Sequence, residues 1–93
     1  MPKYKVIAHR RVHKFISDLK DEKLKNTIKD AITNLENYPL SLREMDVQKI
    51  KGLEKTFRIR IRGCRIIFYV DKTEKTIYVT HTETRKKVYK TLG

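Results

Sequence analysis

Residues 55–71 read KTFRIRIRGCRIIFYVD. In FRIRIR the side chains alternate, so Phe57, Ile59 and Ile61 share one face of a strand and Arg58, Arg60 and Arg62 share the other. The following run, CRIIFYV, buries its more apolar set, Ile66, Phe68 and Val70, and leaves Arg65, Ile67 and Tyr69 on the opposite side. Gly63 marks a tight hairpin between the two strands. A two-residue loop at Arg62 and Gly63 pairs Ile61 with Cys64, Arg60 with Arg65, Ile59 with Ile66 and Phe57 with Phe68, so every core residue meets another core residue. The same register sets Arg60 directly across from Arg65. Such a like-charge pair destabilises a free hairpin by roughly 0.2–1 kcal/mol, so something must compensate.

Outward from this hairpin, Asp71–Glu74 (DKTE) forms the next turn and Lys75–His81 a further strand, while Asp46–Ile50 precedes it as another. These make about four consecutive antiparallel strands. Upstream, Tyr4–Ala8 (YKVIA) reads as a short strand. Val12, Phe15, Ile16 and Leu19 then recur at helical spacing, as do Leu24, Ile28, Ala31, Ile32 and Leu35. Asp21 is placed to cap the second helix, and Tyr38-Pro39 ends it. The expected architecture is α+β: an N-terminal strand, a helical hairpin and an antiparallel sheet, with the helices on one face and the other face free. Nothing resembles a linker or a repeat, so residues 1–93 read as one domain, with a basic tail from Glu83 onward that is a candidate for a short final helix.

Lysine and arginine number 23 against 11 acids, a net charge of +12 that points to a polyanion or an acidic protein as partner. The excess is segmental. Residues 1–14 and 55–69 each hold five bases and no acid, and residues 84–93 hold four and none. Cys64 is the only cysteine, which excludes an intrachain disulfide and fits a reducing, cytoplasmic compartment. No run approaches the roughly 18 apolar residues of a membrane span, and no carboxylate cluster or His/Cys spacing suggests a metal or another cofactor.

Guanidinium groups on an open face suit phosphate, to which they offer bidentate contacts and spread charge. Tyr69 and Tyr78 stand where they could stack on unpaired bases of RNA. The alternative is that the arginines cover the sheet with their stems and pair with acids from elsewhere in the chain. Residues 55–69 contain no acid, which favours phosphate.

The run KIKGLEKTFRIRIRGCRIIFYV (residues 49–70), the helical hairpin before it and the closing RKKVY together resemble the RelE/ParE superfamily of toxins from toxin–antitoxin pairs. The resemblance covers nearly the whole chain, and the basic central hairpin is its specific part. It implies a ribosome-dependent endoribonuclease that cuts mRNA in the A site without a metal and is held inactive by a RelB-like antitoxin. Arg58 and Arg60 match the basic pair of the third strand, Arg65 the arginine opening the next strand, Arg85 a basic position near the end, and Tyr89 the C-terminal tyrosine. Arg62, Tyr69, Lys86 and Lys87 fall where RNA would be held. The family pattern has lysines where this chain has Arg58 and Arg60, and an arginine where it has Glu83. Arginine stays protonated at any usable pH and makes a poor base, so His81 and Glu83 become the candidates for that role, with Tyr89 a further one. His9 and His13, read within the first helix, receive no role. A ParE-like inhibitor of DNA gyrase with no nuclease activity, or a non-toxic RNA-binding domain, are the competing readings.

Overall fold

The computed structural model describes residues 3–84. Strand β1 (Lys5–Ala8) leads into α1 (Arg10–Asp18) and α2 (Glu22–Asn34), and two short 3₁₀ turns, Leu35–Asn37 and Leu40–Glu44, connect α2 to the rest of the sheet. Strands β2 (Val47–Lys49), β3 (Thr56–Ile61), β4 (Cys64–Asp71) and β5 (Thr76–Thr84) follow. Their spatial order is β1-β5-β4-β3-β2. The four later strands pair antiparallel, and β1 joins the far edge parallel to β5, with Lys5 beside Thr76 and Ala8 beside Val79.

Local sequence accounts for most of these boundaries. The carboxylate of Asp21 accepts from the Leu24 amide at 3.1 Å, satisfying one of the orphan donors of α2. His9 lies outside the first helix and caps it: its Nδ1 accepts from the Arg11 amide at 3.0 Å. In the β3–β4 turn, Arg62 has φ +47° and Gly63 φ +84°, the two consecutive left-handed residues of a type I′ turn, whose twist matches that of the flanking strands. The observed register is the one the alternation predicts, Ile61 to Cys64, Arg60 to Arg65, Ile59 to Ile66 and Phe57 to Phe68.

One continuous core lies between the helices and one face of the sheet. Val12, Ile16, Ile28 and Leu35 from the helical side meet Ile59, Cys64, Ile66, Phe68, Val70, Ile77 and Val79 from the strands. The Phe57 and Phe68 rings stack across β3 and β4 at 5.4 Å. Each large side chain fully buried here contributes about 1.5–3 kcal/mol relative to exposure. Cys64 belongs to this layer, and burial pushes its thiol above the ordinary range, away from the reactive thiolate.

Besides the place of His9, two boundaries further along the chain differ from the sequence reading. Strand β5 continues past His81 to Thr84, so Glu83 and Thr84 belong to the sheet and not to the tail. The extension follows from a bulge: Ile67 faces His81 while Phe68 faces Val79, leaving Thr80 as the extra residue. The helical run after Asn34 tightens into 3₁₀ geometry through Asn37 before the proline. The remainder of the predicted tail, with Arg85, Lys86, Lys87 and Tyr89, lies outside the described residues. Among those described, no helix is long and apolar enough to cross a membrane.

Candidate functional site

The face of the sheet opposite the helices carries its side chains in three rows, because neighbouring strands hold residues of the same facing in register. The row nearest the β3–β4 turn runs Asp46, Arg60, Arg65, Glu83. Arg60 pairs with Arg65 and Arg65 with Glu83 along the ladder. The Arg60 amide donates to the Asp46 carbonyl at 2.9 Å, away from β4. Arg60 and Arg65 are therefore a non-hydrogen-bonded pair, the closer kind, with α-carbons about 4.5 Å apart. Each guanidinium is drawn outward by a carboxylate: Arg60 Nε lies 3.1 Å from Asp46 Oδ2, and Arg65 Nη1 lies 3.8 Å from Glu83 Oε1.

For Arg60 and Arg65 this is the pairing with acids from elsewhere in the chain that the sequence left as the alternative. The order acid, base, base, acid offsets the central repulsion laterally and leaves both cations at the surface. All four side chains are at least a third exposed, so each ion pair contributes only about 0.2–1 kcal/mol. An anion of higher charge can displace the carboxylates.

The middle row runs Gln48, Arg58, Ile67, His81. Arg58 donates to the side-chain oxygen of Gln48, a neutral partner. Among the described residues no carboxylate pairs with it. At the other end, His81 lies within hydrogen-bonding distance of Arg11, whose Nη1 is 3.0 Å from His81 Nε2. Arg11 stands in the first turn of α1, just beyond the end of β1, on the side where β5 has run past its pairing with β1. His81 is thus an interior strand residue held from the side and not a residue at the strand's end.

The third row runs Thr56, Tyr69, Tyr78, Ile7. The last three are among the few large apolar or aromatic side chains left exposed, and the two tyrosine rings lie 6.4 Å apart with a 38° tilt. The face therefore grades from charged, beside the hairpin turn, to aromatic at the opposite end.

The structure brings together Arg58, Arg60, Arg65, Tyr69, His81 and Glu83, and sets Arg62 at the tip of the turn beside them. Sequence reasoning missed Asp46, His9 and Arg11. For His9 the sequence carries little signal, since histidine is not among the residues that commonly cap a helix, although it follows directly on a predicted strand. His9 is held below the ordinary histidine value of 6.5 by partial desolvation and by the charges of Arg11, Arg10 and His81. The shift favours the neutral ring, the form that can accept at Nδ1.

Residues 6–89 match the family model described as the ParE toxin of a type II toxin–antitoxin system, parDE. The chain belongs to the RelE/ParE superfamily of toxins. The toxin designated RelE1 of Methanocaldococcus jannaschii is 30% identical over 88 residues, a stretch covering 95% of this chain and 97% of that protein. Among solved structures, the archaeal RelE–RelB complex from Pyrococcus horikoshii OT3 superposes with a TM-score of 0.76 at 25% identity, covering 89% of this chain and 96% of that one. The RelB–RelE complex from Methanococcus jannaschii gives 0.73 at 25% identity, with 89% and 94% covered. The isolated RelE toxin of E. coli shares the fold at 18% identity, with a TM-score of 0.70 over 96% of this chain and 94% of that one. In this superfamily toxin the basic central hairpin of the sequence is the part that lines the open face.

Proposed function

We propose that this toxin is a ribosome-dependent endoribonuclease that cuts mRNA in the A site, using the 2′-hydroxyl beside the scissile phosphate as nucleophile. The observation that carries the reading is the Arg60–Arg65 pair, two permanently charged groups fixed side by side on an open face with Arg58 in the adjoining row. A pair of that kind has its use opposite a group that gains negative charge, and the phosphorane formed by 2′-hydroxyl attack is such a group.

In this mechanism the 2′-oxygen bonds to phosphorus as its proton passes to a base. The bond from phosphorus to the 5′-oxygen then breaks, and that oxygen takes a proton from an acid. A 2′,3′-cyclic phosphate and a 5′-hydroxyl result. Arg58, Arg60 and Arg65 stabilise the phosphorane, with Arg85 a fourth cation. His81 and Glu83 are the candidates for the base; each is held by an arginine, His81 by Arg11 and Glu83 by Arg65, and either must exchange that contact for the 2′-hydroxyl. Tyr89 serves as the acid, and Arg62, Tyr69, Lys86 and Lys87 hold the flanking nucleotides. A RelB-like antitoxin is the natural restraint, supported by the similarity to RelE chains solved with RelB. An acidic segment of such a partner would cover the arginine face.

The family model that matches is a ParE model, and this favours one other reading, a ParE-like inhibitor of DNA gyrase that cleaves nothing. Toeprinting of programmed ribosomes separates the two. The nuclease reading expects a new reverse-transcription stop within the A-site codon. Intact message, together with arrested gyrase supercoiling by the same protein, would establish the second reading instead.

A further inference from the structure

Tyr78 takes no part in the chemistry proposed above, and Tyr69 only a general one. They stand directly across from each other on β5 and β4, in the last of the three rows, with Ile7 next in line on β1. Tyr78 is 37% exposed, Tyr69 39% and Ile7 40%, whereas most other large apolar side chains of the sheet are buried. On the opposite face, Phe57 and Phe68 make the comparable cross-strand pair, and there the rings stack at 5.4 Å with 21° between their planes. The tyrosine rings splay instead, at 6.4 Å and 38°. Each therefore keeps a flat face open to another ring.

The surroundings of this row are cationic. Toward the hairpin turn the adjoining row holds Arg58, and one step the other way Lys5 lies exposed beside Thr76. The acid at that end, Asp71, is engaged by its own turn, where it accepts from the Glu74 amide at 3.0 Å. Aromatic faces set between cations suit a ligand that is flat and apolar in one part and anionic in the next, as a single strand of RNA is. As an anchor for a protein the row is small: three side chains fall far short of the roughly 800 Å² a side of a stable protein interface. We infer that Tyr69 and Tyr78, with Ile7 beside them, form a stacking platform for unpaired nucleobases. Strands advance about 3.3 Å per residue, which puts Tyr69 about 13 Å from Arg65 along β4. The platform therefore takes nucleotides to one side of the scissile linkage and not the linkage itself. It rests on the nuclease reading only in requiring RNA on this face, and it deepens that reading by assigning the bases a separate site from the phosphate. Stacking reads the flat surface of a base and not its edge, so the site selects unpaired strand with little regard to sequence.

The test measures binding of the full chain to two short RNAs, one an unstructured strand and the other a strand of equal length whose sugars carry no bases. Both present the same phosphates. Wild type should bind the intact strand more tightly, and Tyr78→Leu should bind it roughly 5- to 150-fold more weakly than wild type does while binding the abasic strand equally well. Tyr78→Phe, which keeps the ring, should stay within about twofold of wild type on both strands. Equal affinity of the wild type for the two strands overturns the platform whatever the variants do. So does a Tyr78→Leu protein that binds the intact strand at wild-type strength, a loss that is the same on both strands, or a Tyr78→Phe protein as weak as Tyr78→Leu. A wild type that prefers the intact strand yet leaves no cut on programmed ribosomes removes the nuclease reading alone. A wild type that cuts message but binds both strands equally removes this inference alone.

Discussion

Replacing Arg65 with alanine separates the chemistry of the open face from its stability. Two small terms of opposite sign are removed together. Repulsion from Arg60 across a non-hydrogen-bonded pair amounts to roughly 0.2–1 kcal/mol. The ion pair with Glu83, at 3.8 Å and with both side chains more than a third exposed, offsets it by a similar amount after screening by solvent, roughly 0.2–1 kcal/mol. The net change is expected to stay within about 0.5 kcal/mol, which for a domain of this size moves the melting temperature by less than about 4 °C. Cleavage should nevertheless fall about 100- to 1000-fold, the cost of losing a donor aimed at developing negative charge. Ile66→Ala in the same strand is the opposite perturbation: Ile66 is fully buried, and the cavity should cost about 2–5 kcal/mol. Thermal unfolding by circular dichroism, paired with single-turnover cleavage of ribosome-bound message, reads both quantities. The reasoning is refuted if Arg65→Ala lowers the melting temperature by more than about 8 °C while the refolded protein cuts at the wild-type rate.

Arg62 occupies a left-handed position that asparagine adopts more readily, so Arg62→Asn should raise the urea midpoint by the equivalent of about 0.5–1 kcal/mol. Gly63→Ala should lower it by about 1 kcal/mol through backbone strain alone, since a Cβ there meets nothing within 4 Å. Lowering the pH should loosen the start of α1: the folded-state value of His9 lies below the ordinary 6.5, so the cap's contribution is complete above that pH and is lost as pH falls through the folded value. Amide exchange in the first turn should report this, and His9→Asn, which caps without titrating, should abolish the pH dependence; a dependence that persists unchanged in that variant would assign it elsewhere. Binding of unstructured RNA should weaken with salt at a logarithmic slope near −3, as expected for about four neutralised phosphates; a flat dependence would remove phosphate from the account of this face.

The hairpin was legible because its signals are local. Alternation assigns the faces, Gly63 places the turn, and pairing core residue with core residue leaves one register. The helical hairpin was legible for the same reason, through the spacing of Val12, Ile16 and Ile28 and the cap at Asp21. What escaped depends on which strands become neighbours. Asp46 reaches Arg60 only because β2 lies beside β3, and Glu83 reaches Arg65 only because β5 continues past its bulge. A bulge interrupts alternation, so the THTET run reads from sequence as the end of a strand. Contact between Arg11 and His81 has no local trace at all. It arises from the parallel docking of β1, a pairing that strand propensity does not specify.

That docking also sets an order of events during synthesis. The partner of Lys5 is Thr76, so the first strand emerges from the ribosome seventy-one residues before the one it must join. At about 5–20 residues per second the interval is roughly 4–14 s. Within it the helical hairpin and, near its end, the β2–β4 meander can form from nearer neighbours, while Val6 and Ala8 wait without a ladder. Contacts this distant in sequence are also the slowest to close. A nascent chain of this toxin therefore holds both arginines of the pair sixteen residues before His81 is added, and β1 has no strand to join until β5 is made.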